Sequence, residues 1–481
     1  MTETLITIGI EALHVLLALV LLLSGRRQPA ATLAWLFAII FLPFVGPACY
    51  YLIGARRFQR EADRATQAAD RIQQVARMVI PAEPGDWPDG AGQRTRSLAT
   101  LGSRISNRPA SPGNAVEMLV NGPATYRAMI RAVGAATDHI HVLFYIIQPD
   151  ETGTALRDRL ARRASEGIDV RVLVDAVGSM GLPADFFDPV IQAGGKAAVF
   201  RPVRRFFLRD RWRDRIDFRN HRKVVVIDGK IGFTGGINVG REYLGLDPDL
   251  GRWRDTHVRI EGPAVNSLQK VFAGDWLLAT GEVLDEARYF PAPGDPPPGH
   301  CLAQIIDSGP DFAWSPISHI FTHCVSLARE RIWITNPYFV PGIPMRHSLI
   351  TAALRGIDVR VLLPARSDSF LVRWASRSYF EEFLEAGVRI FLYQRGFIHA
   401  KTMLVDDWVS TIGSVNLDMR SFYLNFELNA FFYGSEMVGK MASQFREDLS
   451  DATEATLEHE RALRLPKRLL TSFARLLSPL L

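Results

Sequence analysis

The pattern of apolar and polar positions divides this chain into five stretches. Residues 5 to 23 are apolar almost throughout and long enough to span a bilayer, interrupted by Glu11 and His14 on one helical face. A secretory signal is the alternative, but it calls for a basic start and a small-residue cleavage site, and neither is evident. Residues 30 to 53 are apolar again and broken by Pro43, Gly46 and Pro47, which predicts a kinked span or a segment that dips in and returns. Polar helical sequence follows from Arg56 to about Val79, then a linker over 81 to 92 rich in Pro and Gly. From near Asn114 the pattern predicts a helix over 124–136, a strand over 139–147, a helix over 154–166 and a strand over 169–174. That alternation argues for a parallel α/β sheet. The tail sets Leu463, Leu465, Leu469, Leu470, Phe473, Leu476 and Leu477 among Arg464, Lys467, Arg468 and Arg475. With Pro466 at its start it reads as a basic amphipathic helix, either lying on an anionic membrane surface or docked on the body.

The body is written twice. Gly167-Ile-Asp-Val-Arg-Val-Leu173 recurs letter for letter as Gly356-Ile-Asp-Val-Arg-Val-Leu362. The apolar runs around it recur in order: 139–147 matches 331–340, and 192–200 matches 385–391. The Pro-rich stretch 291–299 separates the copies. The expected organisation is an anchor of two membrane segments (1–55), a helical and linker region (56–110), two halves (111–290 and 291–460) related by a pseudo-two-fold axis, and the tail (461–481).

Each half carries one polar word. In the first, His221 and Lys223 precede the apolar run Val224 to Ile227, with Asp228, Gly235, Gly236 and Asn238 beyond it. In the second, His399, Lys401, Asp406, Gly413, Ser414 and Asn416 stand at the same offsets. A His and a Lys two apart share one face of a strand. If the halves meet, two imidazoles and two ammonium groups surround one site suited to an anion, and phosphate fits best. The lysines with Asn238, Asn416 and Ser414 are candidates to hold its oxygens. One imidazole can then attack phosphorus while the other serves as acid and base, each oriented by a carboxylate. Asp255, downstream of the first word, and Glu427, downstream of the second, are the candidate orienters. Asp228 and Asp406 complete the repeated motif but, standing at strand ends before turns, read chiefly as turn residues.

Charge and composition sharpen this. Lys and Arg number 56 against 51 Asp and Glu, a net charge of +5, and only seven of the basic residues are lysines. Two of those seven fall inside the repeated motif, and burying them without an anion would be costly. No acidic cage for a divalent metal accompanies the histidines, so neither metal nor cofactor is expected. Cys49, Cys301 and Cys324 are too few and too scattered for a disulfide framework or a metal cluster.

The paired motifs resemble the phospholipase D superfamily. The segments 219–229, 234–240, 253–257, 336–341 and 416–421, with two apolar N-terminal segments, are similar to bacterial cardiolipin synthases of the two-membrane-segment type. The resemblance implies a duplicated phospholipase D-like α/β/α sandwich that transfers a phosphatidyl group between two phosphatidylglycerol molecules. It further implies a catalytic set of His221, Lys223, Asp228, His399, Lys401 and Asp406, with His221 as nucleophile and a phosphohistidine intermediate. It places the chain in the bacterial inner membrane, in contact with anionic phospholipids. The arginines Arg56, Arg57, Arg60, Arg64 and Arg71 outnumber Arg26 and Arg27, which puts the body on the cytoplasmic side if both segments span, and reverses if one does. Tyr145, Pro337 and Tyr338 are candidates for a lipid path. Hydrolysis instead of transfer, or a nuclease of the same superfamily, are the alternatives. Membrane segments and the lack of a basic–aromatic platform weigh against nucleic acid. Oligomeric state is not legible.

Overall fold

A computed structural model describes residues 29–42, 45–50, 70–76, 92–202, 217–248, 251–312 and 314–478. The chain separates into two compact units. Within the first, the described residues form helices Pro29–Phe41 and Val45–Cys49, where Trp35 packs edge-on against Tyr50 while Phe37, Ile40 and Phe41 stay exposed. The expected segment 5–23 and the arginines 26, 27, 56, 57, 60 and 64 lie outside the described residues. No helix among the described residues is long and apolar enough to cross a membrane.

The second unit is built on one 15-stranded sheet and a separate two-stranded pair. Its first half contributes β1 (Ser111–Val120), β2 (His139–Phe144), β3 (Asp169–Asp175), β4 (Lys196–Phe200), β5 (Val224–Ile227) and β6 (Ile231–Gly235), then β7 (Trp253–Arg254) and β8 (Thr256–Glu261). The second contributes β9 (Cys301–Ser308), β10 (Arg331–Thr335), β11 (Asp358–Pro364), β12 (Arg389–Tyr393) and β13 (Phe397–Ile398). It continues with β14 (Thr402–Val405), β15 (Val409–Gly413), β16 (Glu427–Tyr433) and β17 (Ala452–Glu454). Across the sheet the order is β17-β12-β11-β10-β14-β15-β16-β9-β1-β8-β6-β5-β2-β3-β4. Read outward from the β9–β1 seam, the two halves list corresponding strands in the same order, with β17 as an extra edge. The pseudo-two-fold therefore runs through that antiparallel seam. Each half is mixed rather than wholly parallel. β2, β3 and β4 pair in parallel, as do β10, β11 and β12, but the motif strands β5 and β14 run antiparallel to their neighbours. The alternation of helix and strand stops where hairpins β5–β6 and β14–β15 begin, and the three-residue turns at 228–230 and 406–408 can join only antiparallel strands.

Both faces of each half are covered. Ile140 and Val142 enter an apolar core with Met129, Leu156 and Leu160. The intervening His141 points the other way and stacks on Phe272 of helix Ala264–Thr280. In the second half, Ile332 and Ile334 join Ile317, Phe321 and Leu349, while Trp333 stacks on Phe445 of helix Ser435–Ser450. The identical heptapeptides sit at matching places. Gly167 and Gly356 take φ of 89° and 86°, a left-handed turn that favours glycine, before feeding β3 and β11.

One boundary differs from expectation. The body begins before Asn114: helix Gln93–Ser106 buries Leu98 and Ala99 in the second-half core, and Arg94 pairs with Asp406. This helix precedes the first half in sequence yet belongs to the second in space. Its few apolar residues among Ser, Thr and Arg conceal it.

Candidate active site

The two polar words converge through backbone pairing between halves. β7 and β13 form a short parallel pair, with Trp253 opposite Phe397 and Arg254 opposite Ile398. Its pseudo-symmetric counterpart is the bridge between Asn220 and Phe426. Each histidine thus donates its backbone N–H across the seam, His221 to the Phe426 carbonyl at 2.9 Å and His399 to the Arg254 carbonyl at 2.7 Å. The residue after each of those carbonyls is a carboxylate, Glu427 and Asp255.

The side chains follow the backbone. His221 Nδ1 lies 3.0 Å from both Glu427 oxygens, and His399 Nδ1 lies 2.8 Å from Asp255 Oδ2. Each histidine therefore pairs with the carboxylate of the other half, although Asp255 follows His221 more closely in sequence. All four residues are buried, the carboxylates completely. Burial depresses both imidazoles, to about 4 in each case, against the opposing pull of their carboxylates. The Lys401 charge lowers His221 as well as His399, so the two motifs share one electrostatic site. Burial alone would raise Glu427 and Asp255, yet the facing His and Lys charges hold both below the usual carboxylate range.

Neither His221 nor Lys223 lies within β5. They occupy the extended segment just before it, as His399 and Lys401 do before β14. The expected alternation still sets their spacing: Lys223 Nζ donates to the His221 carbonyl and Lys401 Nζ to the His399 carbonyl, both at 2.7 Å. Burial lowers Lys401 to about 8 and pushes Lys223 well below its ordinary value, the Lys401 charge adding to the fall of Lys223. The halves differ at the lysine. Lys401 Nζ lies 2.8 Å from His399 Nδ1 and 2.7 Å from Nε2, against both nitrogens of the ring, whereas Lys223 makes no such contact with the His221 ring among the described residues.

Four expected site residues do other work. Asp228 accepts from the backbone N–H groups of Thr137, Asp138 and His139, and Asp406 from those of Arg329, Glu330 and Arg331. Both take positive φ, 54° and 51°, at the far ends of β5 and β14. They are turn anchors rather than catalytic groups: a motif match records spacing and does not distinguish a strand's two ends. Ser414, expected on phosphate, instead donates to Glu427 Oε2 and accepts from Leu428 N at 3.0 Å. It orients the carboxylate. The corresponding Gly236 leaves no room for a side chain, since a Cβ there would stand 2.1 Å from Asp255 Oδ1. Asn238 is committed at both ends, its oxygen to Ile146 N at 3.2 Å and its nitrogen to the Tyr243 hydroxyl at 3.0 Å. Asn416 keeps a buried side-chain oxygen without a partner among the described residues.

Two arginines were not anticipated. Arg222 donates to the Glu427 carbonyl at 3.1 Å and to Asp275 at 2.6 Å. Arg254 donates to the Asp255 carbonyl and to Asp448 at 2.8 Å. Each clamps the backbone of one orienting carboxylate from beneath. The matching words Phe272-Ala-Gly-Asp275 and Phe445-Arg-Glu-Asp448, in the helix that closes each half, were the available signal. At the rim, the Tyr145 ring stands 4.9 Å from His221, and the Tyr338 ring 6.5 Å from His399.

Comparison with known proteins bears on the whole chain. The family model described as cardiolipin synthase, PLD-like domain, matches residues 129–276 and 321–449, one match in each half. The chain belongs to this cardiolipin synthase family of phospholipase D-like proteins. A phospholipase D-nuclease N-terminal model matches residues 12–54. A cardiolipin synthase of a Geobacillus species is 40% identical over 99% of this chain and 94% of the relative. The major cardiolipin synthase of Bacillus subtilis is 38% identical over 98% of this chain and 97% of the relative. Among solved structures, phosphatidylserine synthase of Haemophilus influenzae aligns with a TM-score of 0.61 at 15% identity, covering 80% of this chain and 100% of that one. That likeness speaks for the shared fold.

Proposed function

We propose that this protein is a membrane-bound cardiolipin synthase, transferring a phosphatidyl group from one phosphatidylglycerol to the terminal hydroxyl of another. The observation that carries the chemistry is the pair of crossed His–carboxylate contacts, His221 with Glu427 and His399 with Asp255. His221 Nε2 attacks phosphorus, and the bond from phosphorus to the departing glycerol oxygen breaks. His399 gives that oxygen its proton, leaving phosphatidyl-histidine and free glycerol. The hydroxyl of a second phosphatidylglycerol then loses its proton to His399 and attacks phosphorus, forming cardiolipin and freeing His221. The unengaged Nε2 of His221 supports its role as nucleophile, and the Lys401 ammonium against both ring nitrogens of His399 supports the opposite role there.

Charge explains the order of events. With the site empty, burial keeps both imidazoles neutral near pH 7. An arriving phosphodiester brings a negative charge that draws the lysines and favours protonation of one histidine, which is the state a general acid requires. Lys223, Lys401 and Asn416 are the groups we assign to the phosphate oxygens. The body is assigned to the inner face of a bacterial cell membrane, anchored through the N-terminal apolar segments.

Labelled phosphatidylglycerol supplied to the purified full chain in chelator tests the reading. Cardiolipin and glycerol in equal amounts are expected. Phosphatidic acid as the sole product would make the protein a hydrolase, and cleaved DNA without lipid turnover would make it a nuclease.

A further inference from the structure

The tail helix Leu465–Leu476 is both docked and unfinished. Ala474 is fully buried, Arg475 donates to the Ser378 carbonyl and to Glu382, and Tyr379 meets Ser478. These contacts seat the helix beside helix Phe370–Arg377. Yet Leu465, Leu469, Phe473 and Leu476, at i, i+4, i+8 and i+11, share one face and are each 59 to 77% exposed. Phe370, which opens the neighbouring helix, is 67% exposed. A helix held only by its own body has no reason to present four large apolar groups to water.

Charge and position say what covers this face. Residues 461 to 481 contain five basic residues and no acidic one. Arg464, Lys467 and Arg468 are exposed and make no ion pair among the described residues, and Arg366 and Arg373 are exposed on the adjoining segment. The face is also tied to the candidate site. The Tyr338 ring, near His399, bonds through its hydroxyl to Asp368 at 2.6 Å, and Asp368 is two residues before Phe370. An apolar ridge flanked by arginine and lysine, connected to the rim of a site for an anionic lipid, matches the surface of an anionic bilayer leaflet: acyl chains under the ridge, phosphates beside the cations.

We infer that this ridge, Leu465, Leu469, Phe473 and Leu476 with Phe370, is a second membrane contact that lays the His399 side of the body on anionic lipid. The inference rests on the lipid reading above. It adds the surface through which substrate passes from bilayer to site.

The test uses the full chain with Leu469→Cys, carrying an environment-sensitive fluorophore, reconstituted into vesicles of phosphatidylglycerol with phosphatidylcholine or of phosphatidylcholine alone. A parallel sample without that cysteine subtracts label on the native thiols. The expected result is blue-shifted emission, quenched by brominated acyl chains in the anionic vesicles. In the Lys467→Glu/Arg468→Glu background the quenching should fall by half or more, since reversing two charges changes the local net charge by about four units. A label open to aqueous iodide in both vesicle types overturns the inference. So does a blue shift that follows protein density and ignores lipid charge, which would mean that a second copy covers the ridge. Turnover of phosphatidylglycerol in detergent micelles, measured on the same proteins, separates the two claims. Retained turnover with an exposed label removes the ridge alone, and quenching without turnover removes the synthase reading.

Discussion

Gly236 is the position where a single methyl group tests the geometry of the proposed acid–base. A Cβ there would sit 2.1 Å from Asp255 Oδ1 and 2.8 Å from Oδ2. Since carbon does not approach oxygen closer than about 3 Å without strain, Gly236→Ala forces the carboxylate back by about 1 Å. Asp255 has little slack: it is fully buried, Oδ1 accepts from Thr256 N at 2.7 Å, and its backbone is fixed by Arg254 and by Asn121. The 2.8 Å contact with His399 Nδ1 would lengthen beyond hydrogen-bond range. A hydrogen bond to a charged group contributes about 1.5–3 kcal/mol, which corresponds to a loss of about 10- to 150-fold in kcat. The assay is steady-state transfer in mixed micelles, normalised to folded protein, with KM expected to change little. Gly274→Ala is the control, because nothing lies within 4 Å of a Cβ in that helix position and its activity should be unchanged. Wild-type kcat in folded Gly236→Ala would mean that Asp255 does not orient His399, and the crossed-pair scheme would lose one arm.

The same reasoning extends to other positions. Ser414→Ala removes the hydroxyl that holds Glu427, and kcat should drop about tenfold with little change in KM, whereas a phosphate ligand would raise KM instead. Lys401 titrating at about 8 predicts that kcat/KM falls as pH rises through that value; Lys401→Arg, which stays protonated, should move the alkaline limb upward even if its maximum is lower. His221 and His399 are depressed from 6.5 to about 4 by burial, so the unfolded chain binds more protons between those values. Stability is therefore full above about pH 6.5 and lost as pH falls towards 4, by up to about 1.4 kcal/mol per pH unit per histidine. Thermal midpoints across that window should show a shallower slope in His399→Gln. Asp448→Asn leaves Arg254 buried without its counter-charge, and a loss of about 3–5 kcal/mol in a denaturant titration is expected.

The duplication was legible because an identical heptapeptide and two identically spaced polar words leave little else to infer, and the mirrored strand order about the β9–β1 seam is its physical form. The candidate histidines, lysines and carboxylates were legible by residue type. Their partnership was not. Sequence order sets Asp255 beside His221, but the pairing is decided by β7–β13 and the Asn220–Phe426 bridge, contacts between segments more than 140 residues apart. Ser414 misled for a related reason: a hydroxyl beside a phosphate site looks like a ligand until the carboxylate behind it is placed. Arg222 and Arg254 were hidden by the abundance of arginine, since 56 basic residues dilute any one of them. Helix Gln93–Ser106 falls in the helical and linker region 56–110, and its membership of the body is hidden because its buried face is only a few residues wide.

The claim on which the account stands is that both motifs act on one phosphorus, with His221 as the group that is phosphorylated. Rapid quenching of the full chain in alkaline detergent after mixing with phosphatidylglycerol labelled in its phosphate, followed by mapping of the labelled peptide at alkaline pH, tests it directly. An acid-labile, base-stable adduct is expected on His221 in the active chain and is absent in His221→Ala. Label on His399 would reverse the two roles. Turnover surviving the loss of both histidines would contradict the shared site itself.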